Sequence, residues 1–521
     1  MVADRFDVVV VGAGTAGSVV VRRLVDAGLR VAVIEAGPCD SRSEIDSPFG
    51  AAALFGSEVD WAFSTVPQIA AKSRVLYQPR GKALGGSMIF NGMLHINGAR
   101  SDYDAWAAQG ATGWAWREIE PYFRRLEAYD GPPSPSRGTA GPLPIHRNAD
   151  PDPLVRAFVE AAVEAGYAYN DDYNTGDSRG VSFVQATVRD GRRATAWRSY
   201  VVPIAESPHL RIITNALVTR ILLENGNAVG VEYVRDGRCE IIRAEKEVVL
   251  SAGVFGTPHL LMLSGIGPAK ELRTQGIEVV RDLPGVGQNL CDHVASPIVW
   301  EASRGAPVPR MTGIEAQLIA DGGASASLEP DRQAVFISFV YSTLRDNLPA
   351  QGFTGLAVTL HPYSRGYVRL KSPDPHDAPV IDPRILSDTR DLDLVVSHIQ
   401  ALREVARQPA LGAWIRAEVY PGTGCSSRDA LADYVRTSAD SGQHQVGTAR
   451  IGCDPLAVVD SELRIHGMSG LRIADASVMP MTPAGNTAAP TMMIGERASD
   501  FIIADGKGLC SAGQRNIVTS G

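Results

Sequence analysis

The sequence predicts an α/β chain divided into two domains, and three observations carry that reading. A run of β-forming residues at 6–11 passes through Gly12-Ala13-Gly14-Thr15-Ala16-Gly17 into an amphipathic helical stretch, then a second apolar strand at 31–34 closed by Glu35. Successive strand-like segments fill residues 210–251 and end in an apolar run at 248–250, suited to a buried parallel strand returning to the first sheet. The length, 521 residues, exceeds what one ordinary core supports.

The first element is the most specific. Strand, glycine turn, helix, strand and acid follow in the order a dinucleotide-binding unit of the Rossmann type requires. Gly12 permits the tight turn, Gly14 lets the backbone approach a pyrophosphate, and Gly17 lets helix and strand pack closely. A pyrophosphate would sit on the helix N-terminus beside Thr15 and Ala16, where free N–H groups and the helix dipole favour an anion. Glu35 lies 23 residues beyond Gly12, at the spacing of a ribose-binding acid. A carboxylate there accepts from ribose hydroxyls and repels a 2′-phosphate, which disfavours NADP. The fingerprint alone leaves FAD and NAD open.

The later elements follow in order. Residues 80–104 form a glycine-dense segment, and residues 131–142, rich in glycine and proline, read as a linker leaving the first domain. Helical periodicity marks 154–166. Strands are expected at LRIIT, LVTRILL, AVGVEYV, CEIIR and KEVVL within 210–251. Residues 304–335 are polar and irregular, with GGASAS inside, and read as a flexible loop and possible lid. A long amphipathic helix is expected at 390–407, a strand and turn at 471–478, a closing helix at 488–504, and a mobile tail at 506–521.

Composition excludes several classes. Apolar content of 45% and charged content of 21% are those of an ordinary globular enzyme, and a net charge of −8 argues against nucleic-acid binding. No apolar stretch reaches the ~18 residues of a membrane span. The six cysteines and the histidines lack metal-ligand spacing, so no metal is expected. Scattered cysteines and no room for a signal peptide before the first strand suggest a cytoplasmic protein.

Four further motifs resemble the glucose–methanol–choline flavoenzyme family, in that family's order and across residues 6–504. They are GKALGGS at 81–87 with Asn91, GTPHLLMLSGIG at 256–267, GVGQNLCDH at 285–293, and a C-terminal set running from His444 through Asp475 to Asn486. The resemblance implies FAD as cofactor. It also implies a Rossmann-like FAD-binding domain made of residues 1–150, 205–300 and 451–505. A discontinuous substrate-binding domain, an antiparallel sheet with helices, takes 151–204 and 301–450. Gly85, Gly86 and Ser87 would bring backbone N–H groups to the diphosphate and flavin, and small residues are needed there because a side chain would block the approach. Asn91 resembles the family's flavin-contacting asparagine, and Val218 would meet the adenine through its backbone. Asp475 and Ala476 would line the ribityl chain, and Thr487 would cap the last helix. The same likeness makes Ala36, Arg80, Gly92, Met93 and Ala252 cofactor neighbours. Asp292-His293 reads as a conformation-setting pair, and His95 as structural. Some family members attach the flavin covalently through a histidine just before the asparagine. Phe90 stands there in this chain, so FAD is expected to be non-covalent. Met88 and Ile89 occupy positions where small residues are usual, and Gln443 and Gln445 flank His444.

The implied catalytic pair is His444 and Asn486. Alcohol oxidation removes a hydroxyl proton to a base and a carbinol hydride to flavin N5. Histidine suits the base role because its ordinary pKa of ~6.5 lies near working pH. Asparagine can hold a developing alkoxide without competing for the proton. The expected reaction converts a primary alcohol, a hydroxymethyl group on a small ring or sugar, to the aldehyde, with oxygen or another acceptor reoxidising the flavin. A redox-neutral lyase on the same fold is the alternative.

Overall fold

The computed structural model describes residues 5–321 and 330–515. Two seven-stranded sheets organise it. The first is centred on Arg5–Val11, where Val8, Val9 and Val10 are fully buried. A strand covered on both faces must be apolar throughout, which is why this run does not alternate. Val8 pairs in parallel with Val31, and Val9 with Val248. Leu210–Ile213 extends the sheet beyond Val31–Ile34, also in parallel. The segments CEIIR and KEVVL form one continuous strand, Arg238–Leu250. Its end pairs in parallel with Arg5–Val11 and Leu471–Ile473, while its beginning pairs antiparallel with Asn227–Arg235.

The helix Thr15–Asp26 crosses the final helix, Ala488–Arg515, at close range: a Cβ on Gly495 would lie 2.8 Å from Ala16 O. Arg23 grips the fully buried Glu496 with two bonds of 2.8 and 2.7 Å, locking the two helices together. The final helix runs on through part of the segment expected as a tail, and residues 516–521 lie outside the described residues.

The second sheet is antiparallel, in the order Ile415–Tyr420, Val294–Ala302, Gly352–Thr359, Arg332–Ile337, Ile314–Ala320, Gly180–Phe183. Its faces divide by the two-residue period of a strand. Ala334 and Phe336 pack under the helices Pro153–Glu164 and Thr389–Ala406, whereas Val335 and Ile337 point the other way and cluster with Leu94, Ile96 and Val358. That second face is turned to the site described below.

Three regions differ from the sequence expectation. Residues 304–335, expected as a loop, contain Ile314–Ala320 and the start of Arg332–Ile337, with 322–329 outside the described residues. The polar residues that suggested a loop are buried and paired: Gln333 Nε2 donates to Gln317 Oε1 at 2.8 Å, and Glu315 Oε1 accepts from the backbone N–H of Met311, Thr312 and Gly313. Residues 131–142 form a pinned loop, because buried Arg137 bonds Glu127 at 2.9 Å and Asp172 at 2.7 Å. The expected boundary at 300–301 falls inside Val294–Ala302, a strand of the second sheet, and Trp197 and Tyr200 bury in the first core rather than the second. Among the described residues no helix is long and apolar enough to cross a membrane, and no cluster of side chains could hold a metal ion.

Candidate active site

A cavity of about 1210 Å³ is lined on one side by the first sheet's glycine turns and on the other by the second sheet. The parallel strands end at it, where ligands of open α/β sheets bind. Gly12, Gly14, Thr15 and Ala16 line it together with Gly86 and Ser87. The two glycine turns touch: a Cβ built on Gly86 would lie 2.7 Å from Gly14 Cα, and Gly86 holds a left-handed φ of +53°. Either requirement favours glycine. Gly85 and Gly17 are not at the cavity surface. Gly85 N donates to Ala13 O at 2.9 Å and joins the turns, and a Cβ on Gly17 would sit 2.0 Å from Gly12 O, so Gly17 serves helix–strand packing. The helix Thr15–Asp26 has no side-chain cap and no acid in its first turn, which leaves its N–H groups to an anionic ligand. This cradle fits a dinucleotide diphosphate: it exposes donors and has no room for side chains.

Along the nucleotide half, Glu35 Oε2 accepts from Ala13 N and Oε1 from Gly37 N, both at 3.0 Å. Burial raises its pKa to about 7 against the pull of these N–H groups. Ala36 and Ala252 line the cavity beside it. Val218 also lines it and sits at a register shift between Val218 and Arg220, where a bulge frees backbone from the ladder. Asp475 and Ala476 reach the cavity, but the Asp475 carboxylate is spent on Gly253 N, Thr257 Oγ1 and Ser477 N at 2.6–2.9 Å. It therefore fixes two turns, and its neighbourhood rather than its charge is offered to a ligand. Asn91, Gly92 and Met93 line the middle of the cavity, and Thr487 precedes the final helix with its carbonyl accepting from Thr491 N at 3.0 Å.

His444 and Asn486, 42 residues apart, meet at 2.9 Å between His444 Nε2 and Asn486 Nδ2. Each is held by a backbone that admits little variation. A Cβ on Gly485 would strike Ile96 Cγ2 at 2.4 Å, and one on Gly442 would lie 2.9 Å from His293 Cβ. Gln443, beside His444, adopts a left-handed φ of +62°, unusual for a side-chain-bearing residue. His444 N donates to Asp292 Oδ1 at 2.9 Å, and Asp292 Oδ2 accepts from Ser441 Oγ. On the far side of the ring, His444 Nδ1 meets His293 Nδ1 at 3.0 Å. The network assigns the tautomer. Asn486 donates to Nε2, so Nδ1 carries the hydrogen and gives it to His293. Burial and the Arg80 guanidinium hold the His444 pKa down to about 3, so the ring is neutral with a lone pair on Nε2. Burial, with His444 and His361 adding to it, drives the His293 pKa well below its usual value. Arg80 donates to Pro79 O at 3.0 Å and approaches Gln443 O at 3.5 Å. Phe90 lines the cavity, offers no nucleophilic atom and packs edge-on to Phe55 at 5.2 Å. Met88 and Ile89 are buried, filling the first core and the small cluster around Phe90. His95 is buried and bonds Glu127 at 2.9 Å, away from His444.

Sequence reasoning missed three contributors. Arg193 is buried and donates from Nη1 to Asn91 O at 2.5 Å and Asn91 Oδ1 at 2.8 Å, clamping the cavity-lining asparagine. Nothing in two successive arginines, Arg192-Arg193, after a glycine turn signals that. His293 touches His444 directly, which its motif did not show. Ile314, Val335, Ile337, Leu356 and Val358 supply the opposite wall. Their alternation within strands is the available signal, and for Ile314 and Val335 it is masked by the polar residues around them in 304–335.

Comparison with known proteins agrees with this geometry. The GMC oxidoreductase models match residues 6–295 and 362–495. An alcohol dehydrogenase [acceptor] of Pseudomonas putida is 37% identical over 96% of each chain, and an oxygen-dependent choline dehydrogenase of Rhizobium etli is 36% identical over 95% of each. The crystal structure of pyridoxine 4-oxidase from Mesorbium loti superposes with a TM-score of 0.92 at 32% identity, covering 95% of this chain and 98% of that one. A fungal aryl-alcohol oxidase structure gives a TM-score of 0.86 at 26% identity, covering 97% of this chain and 100% of that one. With its glycine cradle and its His444–Asn486 pair in one cavity, the chain belongs to the GMC oxidoreductase family, as an FAD-dependent enzyme acting on CH–OH donors.

Proposed function

We propose that the protein oxidises a primary alcohol, a hydroxymethyl group on a small ring or sugar, to the aldehyde. The observation that carries this reading is the 2.9 Å contact between His444 Nε2 and Asn486 Nδ2 at the cavity. Non-covalently bound FAD supplies the hydride acceptor, and Phe90 is consistent with that mode of binding. His444 Nε2, whose lone pair meets Asn486 Nδ2, takes the hydroxyl proton when the substrate hydroxyl replaces that contact. Asn486 Nδ2, with a second hydrogen free of His444, steadies the oxygen as charge develops on it. His293 holds the imidazole from behind and fixes which nitrogen is basic. Asp292 anchors the backbone of the same residue. Proteins of similar structure, named pyridoxine 4-oxidase and aryl-alcohol oxidase, support a ring-borne alcohol. Oxygen or another acceptor would complete the cycle. The free thiols Cys39, Cys239, Cys291, Cys425 and Cys453 suit a cytoplasmic setting.

The test is anaerobic mixing of the flavin-loaded protein with a panel of alcohols: hydroxymethylfurans, pyridoxine, benzyl alcohol, choline and aminosugars. Loss of the oxidised-flavin absorbance with a ring alcohol supports the reading, and readmitted air shows whether oxygen is the acceptor. A yellow protein that no alcohol bleaches would overturn it and leave a redox-neutral lyase.

A further inference from the structure

We propose that the substrate pocket selects an uncharged, apolar alcohol and rejects one carrying a quaternary ammonium group, an inference that rests on the alcohol-oxidising reading above. The wall opposite the glycine turns comes from the antiparallel sheet. Val335, Ile337 and Val358 are buried on it, and Ile314 and Leu356 are half-buried and packed against the same cluster. This wall lies against both reactive loops. A Cβ on Gly92, next to Asn91, would be 3.2 Å from Ile314 Cδ1, and Gly485, next to Asn486, abuts Ile96 of the same apolar cluster. The wall's polar groups carry no charge: Gln333 Nε2 donates to Gln317 Oε1 at 2.8 Å and Thr312 Oγ1 to Ile314 O at 2.9 Å, while the Gln333 Oε1 amide oxygen, without a partner among the described residues, is neutral.

A cation in this space would need a counter-charge. Among the described residues three carboxylates line the cavity, Glu35, Asp377 and Asp475. Glu35 is bonded into the glycine fingerprint and Asp475 into the Gly253 and Ser477 turns. Asp377 is paired with Lys371 at 2.9 Å and Ser372 at 2.6 Å. Asp292 lies behind the His444 backbone and is bonded to it and to Ser441. The charge that does approach the histidine loop is positive: Arg80 lines the cavity and reaches towards Gln443 O. The rings that line the cavity are engaged or solvated: Trp61 faces Lys82 Nζ at 4.8 Å, Phe255 faces the Arg80 guanidinium at 5.3 Å, Phe63 packs edge-on to Phe255 and Phe90 to Phe55, and Phe339 and Tyr341 stand 41% and 42% exposed. A quaternary ammonium would lose its hydration against aliphatic side chains with no anion in return. A neutral group of the same shape loses nothing and gains apolar contact.

The experiment compares choline with 3,3-dimethylbutan-1-ol, in which carbon replaces the charged nitrogen. Flavin-loaded enzyme is mixed anaerobically with each, with benzyl alcohol as the reference for alcohol oxidation. The second-order rate constant for flavin reduction should be at least about 10²-fold higher for the neutral alcohol, the scale of burying an uncompensated charge. Where the pair turns over too slowly to compare, each is measured as a competitive inhibitor of benzyl alcohol, with the same order expected. A ratio below about 10, or one favouring choline, overturns this inference and leaves alcohol oxidation standing. If no alcohol, benzyl alcohol included, reduces the flavin, the proposed function falls and the inference with it.

Discussion

The glycine cradle and the His444–Asn486 pair share one cavity but are built in opposite ways. The cradle works by what is missing. Gly14 and Gly86 meet where a Cβ added to Gly86 would come within 2.7 Å of backbone, beside the uncapped N-terminus of the helix Thr15–Asp26. The pair works by what is present: two side chains from distant segments, aligned by His293, Asp292 and backbone held at unusual angles. The cradle should therefore fail when atoms are added and the pair when atoms are removed. The two failures should look different, one losing FAD and the other losing rate.

The largest effect expected is on rate. His444→Ala should retain FAD yet reduce it roughly 10²–10⁴-fold more slowly, the usual worth of a general base. Stopped-flow reduction under saturating alcohol measures this, and wild-type speed would remove His444 from the reaction. On the other side of the comparison, Gly86→Ala should weaken FAD binding by about 10²-fold or more, because the overlap is with backbone and the left-handed φ adds strain. The flavin-to-protein ratio after gel filtration reads it out. A fully loaded Gly86→Ala protein would mean that the turns can part without cost.

Smaller effects sharpen the contrast. Asn486→Ala should lower the reduction rate by about 10²-fold with FAD content unchanged, as for loss of one donor to a developing oxyanion. If FAD is lost instead, Asn486 belongs with the cradle. Arg193→Lys should weaken FAD binding on the order of tenfold, because a lysine cannot reproduce the guanidinium's simultaneous grip on Asn91 O and Oδ1. Titration of apoprotein with FAD, followed by flavin fluorescence, decides it. An effect on rate alone would place Arg193 with the chemistry rather than the cofactor.

The same division explains what could be read from the chain. Gly12, Gly14, Gly17 and Glu35 lie within one strand–turn–helix–strand unit, and their spacing follows from local geometry, so the first sheet and its cradle were legible in advance. Val248–Leu250 returning beside Arg5–Val11 was legible too, because a strand buried on both faces shows as an unbroken apolar run. The second sheet was not. Glu315, Gln317 and Gln333 look like loop residues until their partners are known, and those partners come from separate strands or from backbone across a turn. The grip of Arg193 on Asn91 and the direct contact of His293 with His444 were missed for a related reason: a hydrogen bond to a residue 102 or 151 positions away leaves no periodicity behind.

Sequence by itself therefore determined the dinucleotide unit and the family, and singled out the histidine and asparagine proposed as the reactive pair. Those properties reside in residue types at short spacing or in motifs kept in fixed order. Tertiary structure alone decided which nitrogen of His444 is basic, that Asp475 spends its carboxylate on two turns, and that the wall facing the site is aliphatic and without a free carboxylate among the described residues. Each of these depends on which side chains the fold brings within about 3 Å and which it removes from water, and neither is encoded by neighbours along the chain.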